Sequence, residues 1–480
     1  MKTNELRRTK IVATLGPATD APGVLENMVA AGIDVVRLNF SHGDAADHIE
    51  RARLIRAASA KLGREVGVLA DLQGPKIRIE RFKDGKIQLN EGDGFILDVS
   101  CGKNDGDQER VGLTYKELID DVIVDDVLLL DDGALELKVL AVHGSEIRCK
   151  VLVGGVLSNN KGINRQGGGL SAAALTDKDK ADIITAAELK ADYIAVSFPR
   201  NASDIHQARE LLRAAGGHGG VVAKIERADS LPGVEDIIAA SDVIMIARGD
   251  LGVEIGDAEL PGVQKSLINM ARNMNRVVIT ATQMMQSMVE SQIPTRAEVF
   301  DVANAVLDGT DAVMLSQETA AGKYPVKVVE AMDRICRGAE RQKSAQSSHY
   351  RVDTHFSNID EAIAMASMYT ANHLGVRAIA AMTESGSTPL WMSRISSGIP
   401  IYSLTKHEST RRKVTLYRGV YPVAFDPQAE HHLEVNKEVI NELLSAGTVN
   451  DGDVVIITKG DLTGVHGGTN TMKIIKIGDF

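Results

Sequence analysis

The most chemically loaded stretch of this 480-residue chain is short. One apolar run ends in Ala223-Lys224-Ile225-Glu226, and the next ends in Ala247-Arg248-Gly249-Asp250-Leu251-Gly252. Lys224 and Glu226 share a face of an extended strand, because side chains alternate with a period of two. A buried Lys–Glu ion pair would account for those two alone. Asp250 changes the reading. Two carboxylates leaving neighbouring strand ends suit Mg²⁺, which keeps waters and takes further oxygens from a substrate. A lysine beside such an ion is placed to stabilise a phosphoryl group in transfer or an enolate. Gly249 and Gly252 bracket Asp250 and leave a ligand room near the backbone.

Other polar groups gather at similar places. The run Arg37-Leu38-Asn39-Phe40-Ser41-His42 places Arg37, Asn39 and Ser41 on one face, and an arginine inside an apolar strand is costly without a partner. Asp71 closes another run and is followed by Leu72-Gln73-Gly74-Pro75-Lys76-Ile77-Arg78. Thr280 and Thr282 are expected on one face of a later strand, where threonine alone says little. Met284, Met285 and Met288, at helix spacing, read as core packing.

The elements that must hold these groups are apolar runs alternating with amphipathic segments such as Ala46–Leu62 and Asp177–Lys190. The strand candidates are Lys10–Gly16, Val35–Ser41, Val66–Leu72, Tyr193–Phe198, Val221–Glu226, Val243–Arg248, Val277–Thr282 and Ala312–Ser316. Such near-continuous Val/Ile/Ala strands fit a parallel sheet buried on both faces. Eight strand–helix units favour a closed (β/α)8 TIM barrel over a doubly wound open sheet, with functional groups at the C-terminal strand ends. Hairpin signals at Lys83-Asp84-Gly85, Asp131-Asp132-Gly133 and His143-Gly144-Ser145 predict a β-barrel-like lid domain inserted after the third strand. The expected organisation is barrel over 1–73, inserted lid over 74–166, barrel again over 167–340, and a C-terminal open-sheet α/β regulatory domain over 341–480. That last part holds a polar linker at 339–358 and strands at Ala378–Thr383, Pro400–Thr405, Val420–Phe425, Asp453–Thr458 and near Thr471–Ile477. No internal repeat stands out. Lys76 and Arg78 at one lid hinge and Lys161 near the other suit a polyanionic ligand between barrel and lid.

Composition narrows the classes. Lys plus Arg number 54 against 65 Asp plus Glu, a net charge of −11 that argues against nucleic acid and anionic membranes. No run of about 18 apolar residues is present to span a bilayer. Cys101, Cys149 and Cys336 form neither a metal-binding pair nor a disulfide framework, and Met1–Lys10 lacks a signal-peptide core, so a cytoplasmic location is expected. The residues alone reach a Mg²⁺-dependent barrel enzyme acting on phosphorylated, acidic small molecules. An aldolase or lyase of pyruvate-type acids, and a catalytically silent phosphometabolite sensor, stay open at this point.

Lys10–Pro17 (KIVATLGP), Arg37–Gly43 (RLNFSHG), Asp71–Arg78, Lys224–Glu226, Ala247–Gly252 (ARGDLG), Thr282–Met284, Pro294–Glu298 (PTRAE) and Asp301–Asp308 (DVANAVLD) together resemble the pyruvate kinases, in order along essentially the whole chain. The resemblance implies phosphoryl transfer from phosphoenolpyruvate to ADP, giving pyruvate and ATP, in a homotetramer. By position it implies that Glu226 and Asp250 hold Mg²⁺ or Mn²⁺ and that Lys224 stabilises the phosphoryl group and the enolate. Arg37 would contact the phosphate, Gly249 and Asp250 would receive the carboxylate, and Thr282 would help deliver a proton to the methylene carbon. Asn39, Phe40, Ser41, His42, Arg78 and Lys161 would bind the nucleotide.

Two departures from the family pattern follow. Many relatives need K⁺, bound through residues matching Asn39, Ser41, Asp71 and Leu72, and carry Glu where this chain has Lys76. An ammonium there implies that K⁺ dependence is weak or absent. The loop Thr383-Glu384-Ser385-Gly386-Ser387-Thr388, expected to open a helix at Pro389, matches the family's phosphorylated-effector site, and backbone N–H groups at a helix start suit a phosphate. Relatives activated by fructose 1,6-bisphosphate carry Arg where Glu434 stands and a nearby Trp missing here. AMP or a sugar monophosphate is the expected activator.

Overall fold

The computed structural model describes residues 6–346, 355–356, 358–429, 431–461 and 467–479. Eight parallel strands close into a barrel, so closure wins over the open sheet. Around the barrel they are β1 (Lys10–Thr14), β2 (Val35–Asn39), β3 (Gly67–Asp71), β4 (Tyr193–Val196), β5 (Gly220–Ile225), β6 (Val243–Ala247), β7 (Val277–Ala281) and β8 (Ala312–Leu315). Each lies within two residues of its expected span, because burial on both faces leaves the strands almost wholly apolar. β1 pairs with both β2 and β8, which seals the ring.

One recurring position becomes visible only in the fold. An aspartate stands immediately before each even-numbered strand: Asp34, Asp192, Asp242 and Asp311. Each accepts a backbone N–H from the preceding odd strand, from Ile11, Val68, Val221 and Val278 respectively, at 2.8 to 2.9 Å. Unequal spacing along the chain hides this four-fold device, which ties neighbouring strands at the N-terminal end of the barrel. Two of the four then anchor the C-terminal segment, Asp192 to Arg412 and Asp311 to Arg394. Tyr417 and Leu416 of that segment share an apolar cluster with the barrel interior residues Val12, Leu69 and Val222. The bottom of the barrel is thus plugged, leaving the C-terminal mouth for a ligand.

Between β3 and β4 the chain builds a six-stranded and a two-stranded sheet around their own core, which includes Phe82, Phe95, Leu97 and Leu137. Asp131-Asp132-Gly133, all at positive φ, and His143-Gly144-Ser145 form the expected hairpins. Lys83-Asp84-Gly85 does not. It feeds Lys86–Leu89, whose partner Gly155–Ser158 comes from the far end of the insert. The C-terminal segment forms a five-stranded sheet in the order Val420–Ala424, Ile401–Thr405, Ala378–Met382, Val454–Gly460, Thr469–Lys476, with only the last strand antiparallel. Part of the expected linker, 347–354 and 357, lies outside the described residues. Met284, Met285 and Met288 are fully buried, although only a short 3-10 turn, Gln286–Val289, lies there. No helix among the described residues is long and apolar enough to cross a membrane.

Candidate active site

Lys224, the penultimate residue of β5, turns its side chain into the mouth of the barrel. Its ammonium donates to Ser197 Oγ at 2.8 Å and lies 2.9 Å from Glu226 Oε1 and 3.3 Å from Asp71 Oδ1. Burial alone would lower this lysine, but Asp71 and Glu226 outweigh it and hold the ammonium above its usual value. Asp71, 1% exposed at the end of β3, also takes Arg37 Nε at 2.6 Å. Burial pulls Asp71 up, yet Lys224 and Arg37 bring it below the usual carboxylate range. Arg37 in addition donates to Thr14 Oγ1. The expensive arginine in β2 therefore has its partner.

Glu226 Oε2 accepts the backbone N–H of Phe198 at 2.9 Å, and burial pushes its carboxyl up to about 7, with Lys224 opposing and Asp250 adding to the push. Asp250 is likewise raised by burial, against Lys224 and with Asp132. Its placement corrects the sequence reading. β6 stops at Ala247, so Asp250 sits in the first turn of the helix Arg248–Ile255 and not on a strand end. Arg37 is answered by Asp71, and Lys224 by Asp71 and Glu226, with Asp250 close enough to add to the push on Glu226. Glu226 and Asp250 both line a cleft of about 410 Å³ between barrel and insert. Buried carboxylate oxygens opening on a cleft are donors that suit a hard divalent cation.

The same cleft is lined by Ser41, Lys76, Arg78, Lys161, Asp131, Asp132 and Lys224, so cations from both ends of the insert line it. Lys76 Nζ lies 3.5 Å from the Ser41 carbonyl, Arg78 donates to the Asn160 carbonyl, and Lys161 pairs with Asp131 at 2.7 Å. Arg37, Asn39, Phe40, His42, Gly249 and Thr282 do not line it. Phe40 is buried and stacked on His48, with ring centroids 4.2 Å apart, and its backbone is engaged too, the N–H by the Asp71 carbonyl and the carbonyl by Lys178. Asn39 Oδ1 accepts the Ser41 N–H, and burial with Lys76, Arg37 and Arg78 lowers the pKa of His42.

Thr280 and Thr282 do not share a face. β7 ends at Ala281, and Thr282 takes φ +66°, a left-handed conformation rare for a β-branched residue. Thr280 is buried on Thr310, whereas Thr282 Oγ1 accepts the Gly249 N–H at 2.8 Å and donates to the Ala281 carbonyl. Arg248 holds the strained turn: it clamps Asp301 through two bonds of 2.7 and 2.8 Å and donates to the Thr282 carbonyl. Ser197, Asp132 and the Arg248–Asp301 clamp were not singled out from sequence. The only signal available was a serine or arginine immediately after an apolar strand.

In the C-terminal segment the helix opens at Ser387, two residues before the expected Pro389, with Gly386 at φ +85° as its cap. The loop before it is knit by Gly386 N–H to Thr383 Oγ1, by Glu384 with His407 at 2.5 Å, and by Thr388 with Thr469. A cavity of about 80 Å³ there is lined by Thr383, Glu384, Ser385, Ser387 and Thr388, with Lys406 and Lys459.

A barrel whose mouth carries a lysine between acidic groups is met in several enzyme classes, and comparison with known proteins decides among them. Residues 6–329 match the family model of the pyruvate kinase barrel domain, and residues 361–475 match that of the pyruvate kinase alpha/beta domain. The chain belongs to the pyruvate kinase family. It is 58% identical over 476 residues to pyruvate kinase II of Salmonella typhimurium, covering 98% of this chain and 99% of that one. Its identity to the pyruvate kinase of Haemophilus influenzae is 56% over 459 residues, covering 95% and 96%. With that of Geobacillus stearothermophilus it is 42% over 482 residues, covering 99% and 81%. Pyruvate kinases are phosphotransferases, which sets aside the aldolase, lyase and silent-sensor readings. The pyruvate kinase family generally uses a divalent metal, and the acidic pair Glu226 and Asp250 has fitting chemistry for one.

Proposed function

We propose that this chain transfers the phosphoryl group of phosphoenolpyruvate to ADP at the Lys224 cluster, and that Lys224, Arg37, Thr282, Glu226 and Asp250 do so in the roles that follow. The observation that carries the reading is the Lys224 ammonium held among Ser197, Asp71 and Glu226 at the cleft mouth. Glu226 and Asp250 would hold a divalent cation, which would supply positive charge against the anionic substrate. Arg37, fixed by Asp71, contacts the phosphate, while Gly249 and Asp250 receive the carboxylate. Lys224 stabilises charge on the phosphoryl group in flight and on the enolate left behind, so positioning and charge neutralisation do the work. Thr282 Oγ, turned by its left-handed backbone toward Gly249, helps pass a proton to the methylene carbon. Arg78, Lys161 and residues 39–42 hold the nucleotide, and the insert closes to exclude water.

Lys76 takes the place of a monovalent cation. In support, Asn39 Oδ1, the Leu72 carbonyl and the Asp71 carboxylate already accept from Ser41, Ser197, and Arg37 with Lys224. Residues 383–388 bind the phosphate of AMP or a sugar monophosphate. Glu434, exposed and paired with Lys437, stands where relatives activated by a bisphosphate carry Arg, which favours a monophosphate. Membership of the family supports assembly as a homotetramer, and free Cys101, Cys149 and Cys336 support a cytoplasmic location. Following phosphoenolpyruvate, ADP and Mg²⁺ by ³¹P NMR tests the reaction. ATP formation with matching pyruvate supports it, and hydrolysis to inorganic phosphate alone would defeat it. Saturation curves for phosphoenolpyruvate with AMP, ribose 5-phosphate or fructose 1,6-bisphosphate test the effector.

A further inference from the structure

Ser197 follows β4 directly, is 1% exposed, and has both capacities of its hydroxyl engaged. Its Oγ–H donates to the Leu72 carbonyl at 2.8 Å, so towards Lys224 the same oxygen can only accept, which it does at 2.8 Å. Leu72 begins the segment Leu72-Gln73-Gly74 by which the chain leaves the barrel for the insert. The hinge also leaves no room for a side chain beside Ser197. Gly74 stands at φ +66°, and a Cβ there would come within 2.7 Å of the Ser197 Cβ and 3.2 Å of the Phe198 ring. Gly74 is pinned in turn by its N–H to the fully buried Asp179 carboxylate. The neighbouring Phe198 peptide, with φ +54°, gives its N–H to Glu226.

Of the three acceptors around the Lys224 ammonium, Ser197 is the only uncharged one. Asp71 and Glu226 draw the ammonium by charge, which is weakly directional, whereas a hydroxyl whose proton is committed elsewhere fixes a direction. We infer that Ser197 is a positioning residue of this phosphotransferase: it aims the Lys224 ammonium at the reacting group and links that aim to the hinge at Leu72–Gly74 through which the insert moves. The inference rests on the role given to Lys224 above. Ser197 touches no reacting atom itself; it acts through the lysine. A shift of Leu72 on lid closure is therefore passed to Lys224 through the Ser197 hydroxyl, with Gly74 confined close beside it. Closure and aim are coupled.

The test is steady-state kinetics of Ser197→Ala and Ser197→Cys beside Mn²⁺ binding followed by electron paramagnetic resonance. A lost hydrogen bond to a charged donor leads to an expected fall in kcat of about 10- to 100-fold in Ser197→Ala. The KM for phosphoenolpyruvate stays within about twofold, because ground-state binding is not what the bond serves. Mn²⁺ affinity is unchanged. Cysteine keeps the bulk but accepts poorly, so Ser197→Cys falls with alanine. Parent kcat in Ser197→Ala, or restoration of kcat by cysteine, would overturn the inference. Should the alanine variant not fold, Gly74→Ala carries the test by crowding Ser197 from the hinge while leaving its hydroxyl: a kcat loss with KM retained supports it and parent kcat overturns it. Lys224→Met separates the two layers. Activity kept there removes the lysine's role, whereas activity lost there but kept in Ser197→Ala removes only the serine's.

Discussion

Arg37 Nε lies 2.6 Å from Asp71 Oδ2, and the carboxylate between them and the core is 1% exposed. Its other oxygen lies 3.3 Å from Lys224 Nζ, so one buried acid orients the two cations proposed above to act at different atoms of the substrate. Replacing it by its neutral isostere removes the charge and keeps the shape. Asp71→Asn is expected to lower kcat/KM for phosphoenolpyruvate about 10²-fold and to cost roughly 3 kcal/mol of stability, since it breaks a buried pair from one side. Steady-state kinetics with urea unfolding of the same samples checks both numbers. A variant of parent activity would release Asp71 from that role.

Thr282 offers the opposite balance. Its φ of +66° is strained for a β-branched residue and natural for glycine. Thr282→Gly is expected to fold with stability equal to or above the parent while kcat falls about 10²-fold, the size of a lost acid–base group. Thr282→Ser keeps the hydroxyl and recovers most of the rate. Deuterium incorporation into the pyruvate methyl group reads the proton step directly. Equal exchange in parent and glycine variant would contradict the assignment.

Lys76 Nζ sits 3.5 Å from the Ser41 carbonyl, beside donors expected of a monovalent-cation site. Burial, then Arg78 and Lys178, lower its pKa. The parent is expected to turn over at full rate in buffer free of Na⁺ and K⁺, and Lys76→Glu to become dependent on added K⁺. Strong K⁺ activation of the parent would show that the lysine does not substitute for the ion.

Lys10 provides a pH signature of the join between barrel and C-terminal segment. Its buried ammonium donates to the Val420 carbonyl at 2.6 Å and lies over the Tyr421 ring. Burial lowers its pKa from 10.5 to about 8, opposed by Asp34 and Glu340 and assisted by Arg7 and Arg64. Because the folded-state pKa is depressed, the unfolded chain holds more protons between about pH 8 and 10.5, and this group's contribution to stability rises with pH across that window. Cys149 and Cys336, pushed up to about 12 by burial, act in the opposite sense above pH 9, so the comparison must cancel them. Relative to Lys10→Met, the parent is expected to gain up to about 3 kcal/mol from pH 8 to 10.5, the value of the shift at about 1.4 kcal/mol per unit. A flat difference in urea midpoints would contradict it.

The barrel was legible because its strands, covered on both faces, had to be apolar runs, and Lys224 and Glu226 were legible because they break one. Alternation failed where strands ended. Thr282 leaves the extended region, and Asp250 belongs to a helix, so neither side chain's direction followed from parity with its neighbours. Ser197 and the aspartates preceding alternate strands act through partners far away in sequence. Only closure of the ring brings Asp192 to Val68 or Ser197 to Leu72. Lys83-Asp84-Gly85 looked like a hairpin because turn chemistry is local, while strand pairing is not.

Lys224 is the centre of the proposed chemistry, and the most direct measurement pairs the parent with Lys224→Met in an assay of ATP and pyruvate from phosphoenolpyruvate, ADP and Mg²⁺. The parent is expected to form the two products in equal amounts, and the variant to lose at least about 10³-fold in kcat, as removal of a principal electrostatic stabiliser does. A folded Lys224→Met protein that forms ATP at the parent rate would contradict the account.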